Sequence, residues 1–191
     1  ADIGGLPPRI GIPVEVDDPE RWRLRNEVEQ SVRRMAAPHA VARRQKVDRV
    51  RRALASGAAL ATALGQTPGV AAGGTRDSRE DTLRQQAEAM DVSDPRLEWL
   101  LRQAPRWRDA HEKTLVFVAH RETLEMLRTS LSERAQVASG VFHEELSPAR
   151  RDTEVARFRE PDGPSLLVST ECGGEGRNFE FCRRLVLFDL P

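Results

Sequence analysis

Between Lys113 and Phe188, short apolar runs alternate with helical segments, and this alternation constrains the fold more than any other feature of the chain. Residues 114–118 (TLVFV), 137–142, 166–168 and 185–188 read as strands. Residues 121–132 read as a helix with Leu124, Leu127 and Leu131 on one side. A second helix starts at Ser147-Pro148 and runs to about Arg159, with Val155 and Phe158 turned inward. Strands that alternate with helices predict a parallel sheet with right-handed crossovers, an α/β fold over about residues 111–191. Ligands of open α/β sheets gather outside the carboxyl ends of the strands. That directs attention to Ser169-Thr170-Glu171-Cys172-Gly173-Gly174-Glu175-Gly176-Arg177-Asn178. Its glycines either form a surface turn or let a ligand approach the backbone closely.

The first half reads as mostly helical. Ile10, Ile12, Val14 and Val16 share one parity, which predicts a half-buried strand. Asp17-Asp18-Pro19-Glu20 supplies a cap, a first-turn proline and an early acid, so a helix is expected over 19–37 with Trp22, Val28, Val32 and Met35 apolar. A second helix is expected over 40–64, with Val47, Val50 and Leu54 as its apolar stripe. It carries Arg43, Arg44, Lys46, Arg49, Arg51 and Arg52 against Asp48 alone, and reads either as a phosphate-facing surface or as a solvated face. Residues 65–77 hold four glycines and a proline and predict a flexible loop. Ser78, with Asp81 three residues on, opens a third helix ending near Met90. Ser93-Asp94-Pro95 opens a fourth, with Leu97, Leu100, Leu101 and Trp107 apolar. The expected organisation is a strand or linker over 1–17, a helical insertion over 18–92 and the α/β unit with its lead-in helix over 93–191.

Charge is balanced, 30 basic against 30 acidic residues, so net charge names no partner. Two cysteines without metal-type spacing fit a reducing, cytoplasmic setting. No apolar run approaches the roughly 18 residues of a spanning helix, so no membrane partner is expected. The chain begins at Ala1 and stops at Pro191 directly after a hydrophobic strand, so an excised piece of a longer protein is expected.

The second half resembles, element by element, the second RecA-like lobe of superfamily-two helicases and translocases. Residues 114–118 with Ala119-His120-Arg121 after them resemble motif IV of that family. Phe142-His143-Glu144-Glu145-Leu146-Ser147 through Arg151 to Phe158 resembles its "HG…S…R…F" segment, with Glu144 in place of glycine. The stretch from Ser169 to Asn178 resembles motif V. Gly173-Gly174-Glu175-Gly176-Arg177-Asn178 is similar to the Gly-Gly-x-Gly-Leu-Asn of the Swi/Snf branch. Residues 94–101 are similar to that branch's lead-in helix, and Leu6-Pro7-Pro8-Arg9 to the segment after its first lobe. Arg177-Asn178-Phe179-Glu180-Phe181 leans towards bacterial members that recycle RNA polymerase.

The resemblance implies an ATP-driven translocase on duplex DNA. Thr170, with Ser169, Gly173, Gly174 and Arg121, would contact the nucleic acid, because glycine-rich backbone at a strand end offers unshielded N–H groups to an anion. Glu171, Gly176, Arg177 and Asn178 would lie at the nucleotide or lobe interface. Glu171 also reads as a solvated loop acid. His143 and Arg151 would be structural, His143 as a core histidine bonded to backbone. No Gly-x4-Gly-Lys-Ser/Thr loop and no Asp-Glu-x-His motif occurs in the sequence. ATP and magnesium would therefore be held mainly by a first lobe outside this chain. No metal or cofactor site is expected in these residues, and no catalysis by them alone. DNA and RNA polymerase are the expected partners, in a nucleoid-associated location. A truncated sheet edge is expected to favour self-association. A non-catalytic docking module built on the basic helix is the other reading.

Overall fold

The computed structural model describes residues 10–35, 39–65, 78–171 and 179–189. Their order is α1 (Pro19–Arg34), α2 (Ala40–Ala55), α3 (Gly57–Gly65), α4 (Ser78–Met90), α5 (Pro95–Asp109), β1 (Thr114–Phe117), α6 (Arg121–Ala135), β2 (Ser139–Phe142), α7 (Pro148–Arg159), β3 (Leu166–Ser169) and β4 (Arg184–Leu187).

Three helices start where a capping side chain meets a first-turn proline. Asp18, Asp94 and Ser147 accept from the amides of Arg21, Arg96 and Arg150 at 3.0, 2.9 and 3.3 Å. Each cap satisfies a donor that the helix leaves unpaired, and the proline fixes φ where no N–H is needed. α6 stops at Gln136, which takes a left-handed φ of 53°, and the Val137 amide returns to the Leu131 carbonyl at 2.9 Å.

The four strands form one parallel sheet in the order β2-β3-β1-β4. The step from β1 to β2 moves one way across the sheet, and that from β2 to β3 moves back. Crossovers of one hand then put α6 and α7 on opposite faces. The core is split accordingly. Val116, Leu166 and Val168 pack with Leu97, Leu100, Leu124, Leu127 and Leu131 of α5 and α6. Leu115, Leu167 and Phe142 face Val155 and Phe158 of α7. β3, buried along its whole length, is apolar on both parities because both of its faces are covered.

α1 to α4 build a third core from Leu24, Val28, Val32, Leu60, Leu64, Leu83 and Met90. A polar junction ties it to α5. Asp94 pairs with Arg21 at 2.6 Å and Arg96 at 2.8 Å, and both guanidiniums also reach the carbonyls of Leu54 and Ala55 at the end of α2. Burial pushes the Asp94 carboxyl up, but the Arg96 hydrogen bond and the charges of Arg21 and Arg96 hold it below the usual range.

Several expectations are corrected. Residues 10–17 form no strand; Ile10 and Ile12 are about four-fifths exposed, because an apolar parity makes a strand only where another strand pairs with it. The helix expected over 19–37 ends at Arg34. The helix expected over 40–64 is two helices. Ser56 is extended (φ −159°, ψ 163°), and its hydroxyl accepts from the Ala59 amide at 3.0 Å, capping α3. Trp22 and Val47 are exposed, whereas Arg21 and Arg49 are buried against Asp94 and Glu80. Strand β2 begins at Ser139 rather than residue 137, α6 runs to Ala135, and β4 spans Arg184–Leu187. Gly65 closes α3, and the rest of the expected 65–77 loop lies outside the described residues.

Candidate functional site

Parallel strands in register end at one edge. Phe117, Phe142, Ser169 and Leu187 are paired across the sheet, so the residues after them gather together. His120 and Arg121 come after β1, His143, Glu144 and Glu145 after β2, Thr170 and Glu171 after β3, and Asp189 after β4.

Thr170 is buried, its amide bonded to the Phe142 carbonyl at 3.0 Å, and its hydroxyl donates to Glu144 Oε2 at 2.8 Å. Ser169 is fully buried and turns its hydroxyl to the Thr170 carbonyl at 2.8 Å. Exposed Arg121 pairs with the Glu145 carboxylate. The two groups suited to phosphate, a hydroxyl and a guanidinium, are thus held by adjacent glutamates. Glu144's own backbone N–H, then the Thr170 hydroxyl, hold its carboxyl below the usual range. Arg151 donates to the Glu144 carbonyl and lies 5.7 Å over the Phe142 ring, so it fixes the turn that presents both glutamates. Buried His143 accepts the Leu146 amide on its carbonyl at 3.2 Å, while its Nδ1 has no hydrogen-bond partner among the described residues. Glu171 is exposed.

Two residues not anticipated complete the edge. Asp189 accepts from the Ala119 amide at 2.7 Å, fixing the turn between β1 and α6. Burial raises its carboxyl to about 6, against the opposing pull of that amide. Glu144 is the other, and its one sequence signal is a carboxylate where the resemblance places glycine. Burial, then the charge of Arg52, lower the His120 imidazole. Arg52, Thr62, His120, Arg121, Glu122 and Glu144 line part of a groove of about 830 Å³ beside this edge.

The six basic residues of α2 divide. Arg49 is buried on Glu80 at 2.9 Å, and Arg52 bridges Asp48 and Glu122 at 2.8 and 2.9 Å. Arg43, Arg44 and Arg51 are exposed and make no ion pair among the described residues, and Lys46 is half-buried. Gly173, Gly174, Gly176, Arg177 and Asn178, with Cys172, lie outside the described residues. Among the described residues, no group of three or more His, Cys, Asp or Glu suits a metal ion, and no helix is long and apolar enough to cross a membrane.

Among known proteins, RNA polymerase-associated protein RapA of Serratia proteamaculans is 48% identical over 99 residues, 51% of this chain and 10% of that protein. RapA of Pectobacterium carotovorum is 42% identical over 116 residues, 58% of this chain and 12% of that protein. The matches span about a tenth of those relatives. Among solved structures, the C-terminal part of the Fun30 ATPase domain matches with a TM-score of 0.58 at 13% identity, covering 91% of this chain and 72% of that one. The Pyrococcus furiosus Hef helicase domain matches with a TM-score of 0.57 at 16% identity, covering 83% and 45%. At these identities the structures speak for the fold alone, and they bear out the RecA-like architecture. Residues 96–191 match the helicase conserved C-terminal domain, half of the chain, and the chain belongs to that family.

Proposed function

We propose that this chain is the second RecA-like lobe, with a helical insertion, of a bacterial Swi/Snf-type ATPase that translocates on duplex DNA. It contributes motifs IV and V, which couple phosphate contact to ATP hydrolysis at the lobe interface. The observation that supports this most is the pairing of Thr170 and Arg121 with the neighbouring carboxylates Glu144 and Glu145 at the carboxyl edge of the sheet. Two anion-binding groups held by two exposed anions suit a site that exchanges carboxylate for phosphate. ATP and magnesium bind mainly to a lobe outside these residues, so the 191-residue chain alone does not turn over ATP. The RapA relatives, named as RNA polymerase-associated proteins, support RNA polymerase as a partner; a cytoplasmic, nucleoid-associated location is the setting that partner and duplex DNA would require. The exposed Leu185 and Leu187 on β4 support self-association of the isolated chain.

The test is duplex binding by the full-length protein across a salt series. Thr170→Ala and Arg121→Ala should each weaken it, and Arg121→Ala should lower the slope of log K against log salt by about 0.9. Unchanged affinity in both variants would remove the assignment.

A second reading is supported by one arc of α2, where Arg43, Arg44 and Arg51 surround the exposed Val47. Arg44 and Arg51 stand about 10 Å apart along the helix, the reach of about three base-pair steps. Val47, with the exposed Val41 one turn from Arg44, offers little of the apolar centre of a protein interface, so this arc favours a phosphate backbone. Arg43→Ala/Arg44→Ala/Arg51→Ala lowering the salt slope by roughly 3 would favour it, and an unchanged slope would return the arc to a solvated face.

A further inference from the structure

We infer that the helical insertion is a brace for motif IV, and that Arg52 and Ser56 are positioning residues for Arg121. The inference rests on the reading of Arg121 as a nucleic-acid ligand.

α6 presents Arg121 as its first residue, yet it starts poorly. His120 occupies the cap position and makes no side-chain hydrogen bond to the helix. A helix start without a cap leaves amide donors unsatisfied and frays. Asp189 fixes the turn before α6 at Ala119, and the side-chain contacts on its first turn come from about 70 residues earlier in the chain. Ser56 Oγ lies 2.8 Å from Thr123 Oγ1, with both residues fully buried. The same Ser56 oxygen accepts the Ala59 amide at 3.0 Å, so one hydroxyl caps α3 and grips the first turn of α6. Beside it, Arg52 is fixed by Asp48 at 2.8 Å and reaches Glu122 at 2.9 Å. Glu122 and Thr123 are the two residues after Arg121, so both contacts bear on the turn that carries it.

The gripping residues are themselves fixed. The Asp91 carboxylate accepts from the amides of Gly57 and Ala58 at 2.6 Å each. Gly57 sits so close to α4 that an added Cβ would lie 1.8 Å from the Ala87 carbonyl oxygen. The carbonyls of Leu54 and Ala55, just before Ser56, are held by Arg21 and Arg96 on the Asp94 junction. The junction of α2 and α3 is therefore anchored to α1, α4 and α5 at once. A residue anchored in this way can transmit position to α6. The insertion then belongs to the working surface of the lobe, and is not a separate docking module.

Charge reversal separates bracing from direct contact. If Arg52 touched phosphate, Arg52→Glu would weaken duplex binding and Glu122→Arg would strengthen it. Bracing predicts that both weaken it. In the full-length protein, each single variant should raise the duplex concentration for half-maximal ATPase about tenfold, with the maximal rate within about twofold of wild type. Arg52→Glu/Glu122→Arg should restore it in part, since the carboxylate introduced at position 52 also faces Asp48. Opposite signs in the two single variants, or no rescue in the double, overturn the inference. Hydrogen exchange of residues 120–124 in the same proteins is the second reading. It should be faster in both single variants and restored in part in the double; unchanged exchange also overturns the brace. A wild-type protein that ignores every nucleic acid would sink the proposed function, while the exchange result would still decide the brace.

Discussion

Glu144→Gln should tighten duplex binding, because Glu144 occupies the hydroxyl that phosphate needs. In the structure Thr170 donates to the Glu144 carboxylate at 2.8 Å, and that carboxylate is held in its charged form. A hydrogen bond to a charged acceptor contributes about 1.5–3 kcal/mol net and a neutral one about 0.5–1.5, so the amide releases the hydroxyl at about 1 kcal/mol less cost. Removing one negative charge about 4 Å from an incoming phosphate removes about 1 kcal/mol of repulsion at the water-like dielectric of an exposed side chain. The sum, about 2 kcal/mol before screening, corresponds to roughly 5–30-fold tighter binding at low salt. Fluorescence anisotropy of a labelled duplex with the full-length protein, at about 50 and about 200 mM salt, reads this directly. With Thr170→Ala also present, only the repulsion share of the gain should persist. Weaker or unchanged binding by Glu144→Gln would refute the argument, for it would mean that Glu144 supports the site rather than competing for it.

Single contacts set three further expectations. The Asp189 carboxyl is raised to about 6 from 3.8, so its contribution is full below about pH 4 and is lost as pH rises through 6. Asp189→Asn keeps an acceptor for the Ala119 amide and should flatten stability between about pH 4 and 7, gaining up to about 3 kcal/mol at neutral pH. An unaltered pH slope in urea melts of the variant would count against this. Gly57→Ala should destabilise the chain by about 2–3 kcal/mol in urea unfolding, since the new methyl meets the Ala87 backbone rather than a movable side chain; a wild-type midpoint would contradict the close packing of α3 on α4. Leu185→Ser/Leu187→Ser should lower the sedimentation coefficient of the isolated chain at high concentration, and equal values would show that β4 is not where copies meet.

The legible parts of this fold were those with local causes. Strands β1 and β3 were readable because burial on both faces writes a continuous apolar run. The starts of α1, α5 and α7 were readable because each joins a capping side chain to a proline. The illegible parts depend on residues distant in sequence. The break at Ser56 falls inside an unbroken alanine-rich pattern and is fixed by Arg21, Arg96 and Asp91, none of which is a neighbour in sequence. The apolar stripes of α1 and α2 do not include Trp22 and Val47, because Arg21 and Arg49 are buried in ion pairs with Asp94 and Glu80, which hydrophobic periodicity does not register. At the site, the strand ends located Thr170 and Arg121. The adjacent glutamates that hold them, and the Asp189 contact to Ala119, depend on how β2 and β4 flank the central pair.

The measurement closest to the central claim is ATP hydrolysis by the full-length protein with no nucleic acid, with single-stranded DNA and with duplex DNA, alongside Thr170→Ala. The account predicts strong stimulation by duplex that the variant loses. Equal rates with and without every nucleic acid, or full duplex stimulation in Thr170→Ala, would contradict it.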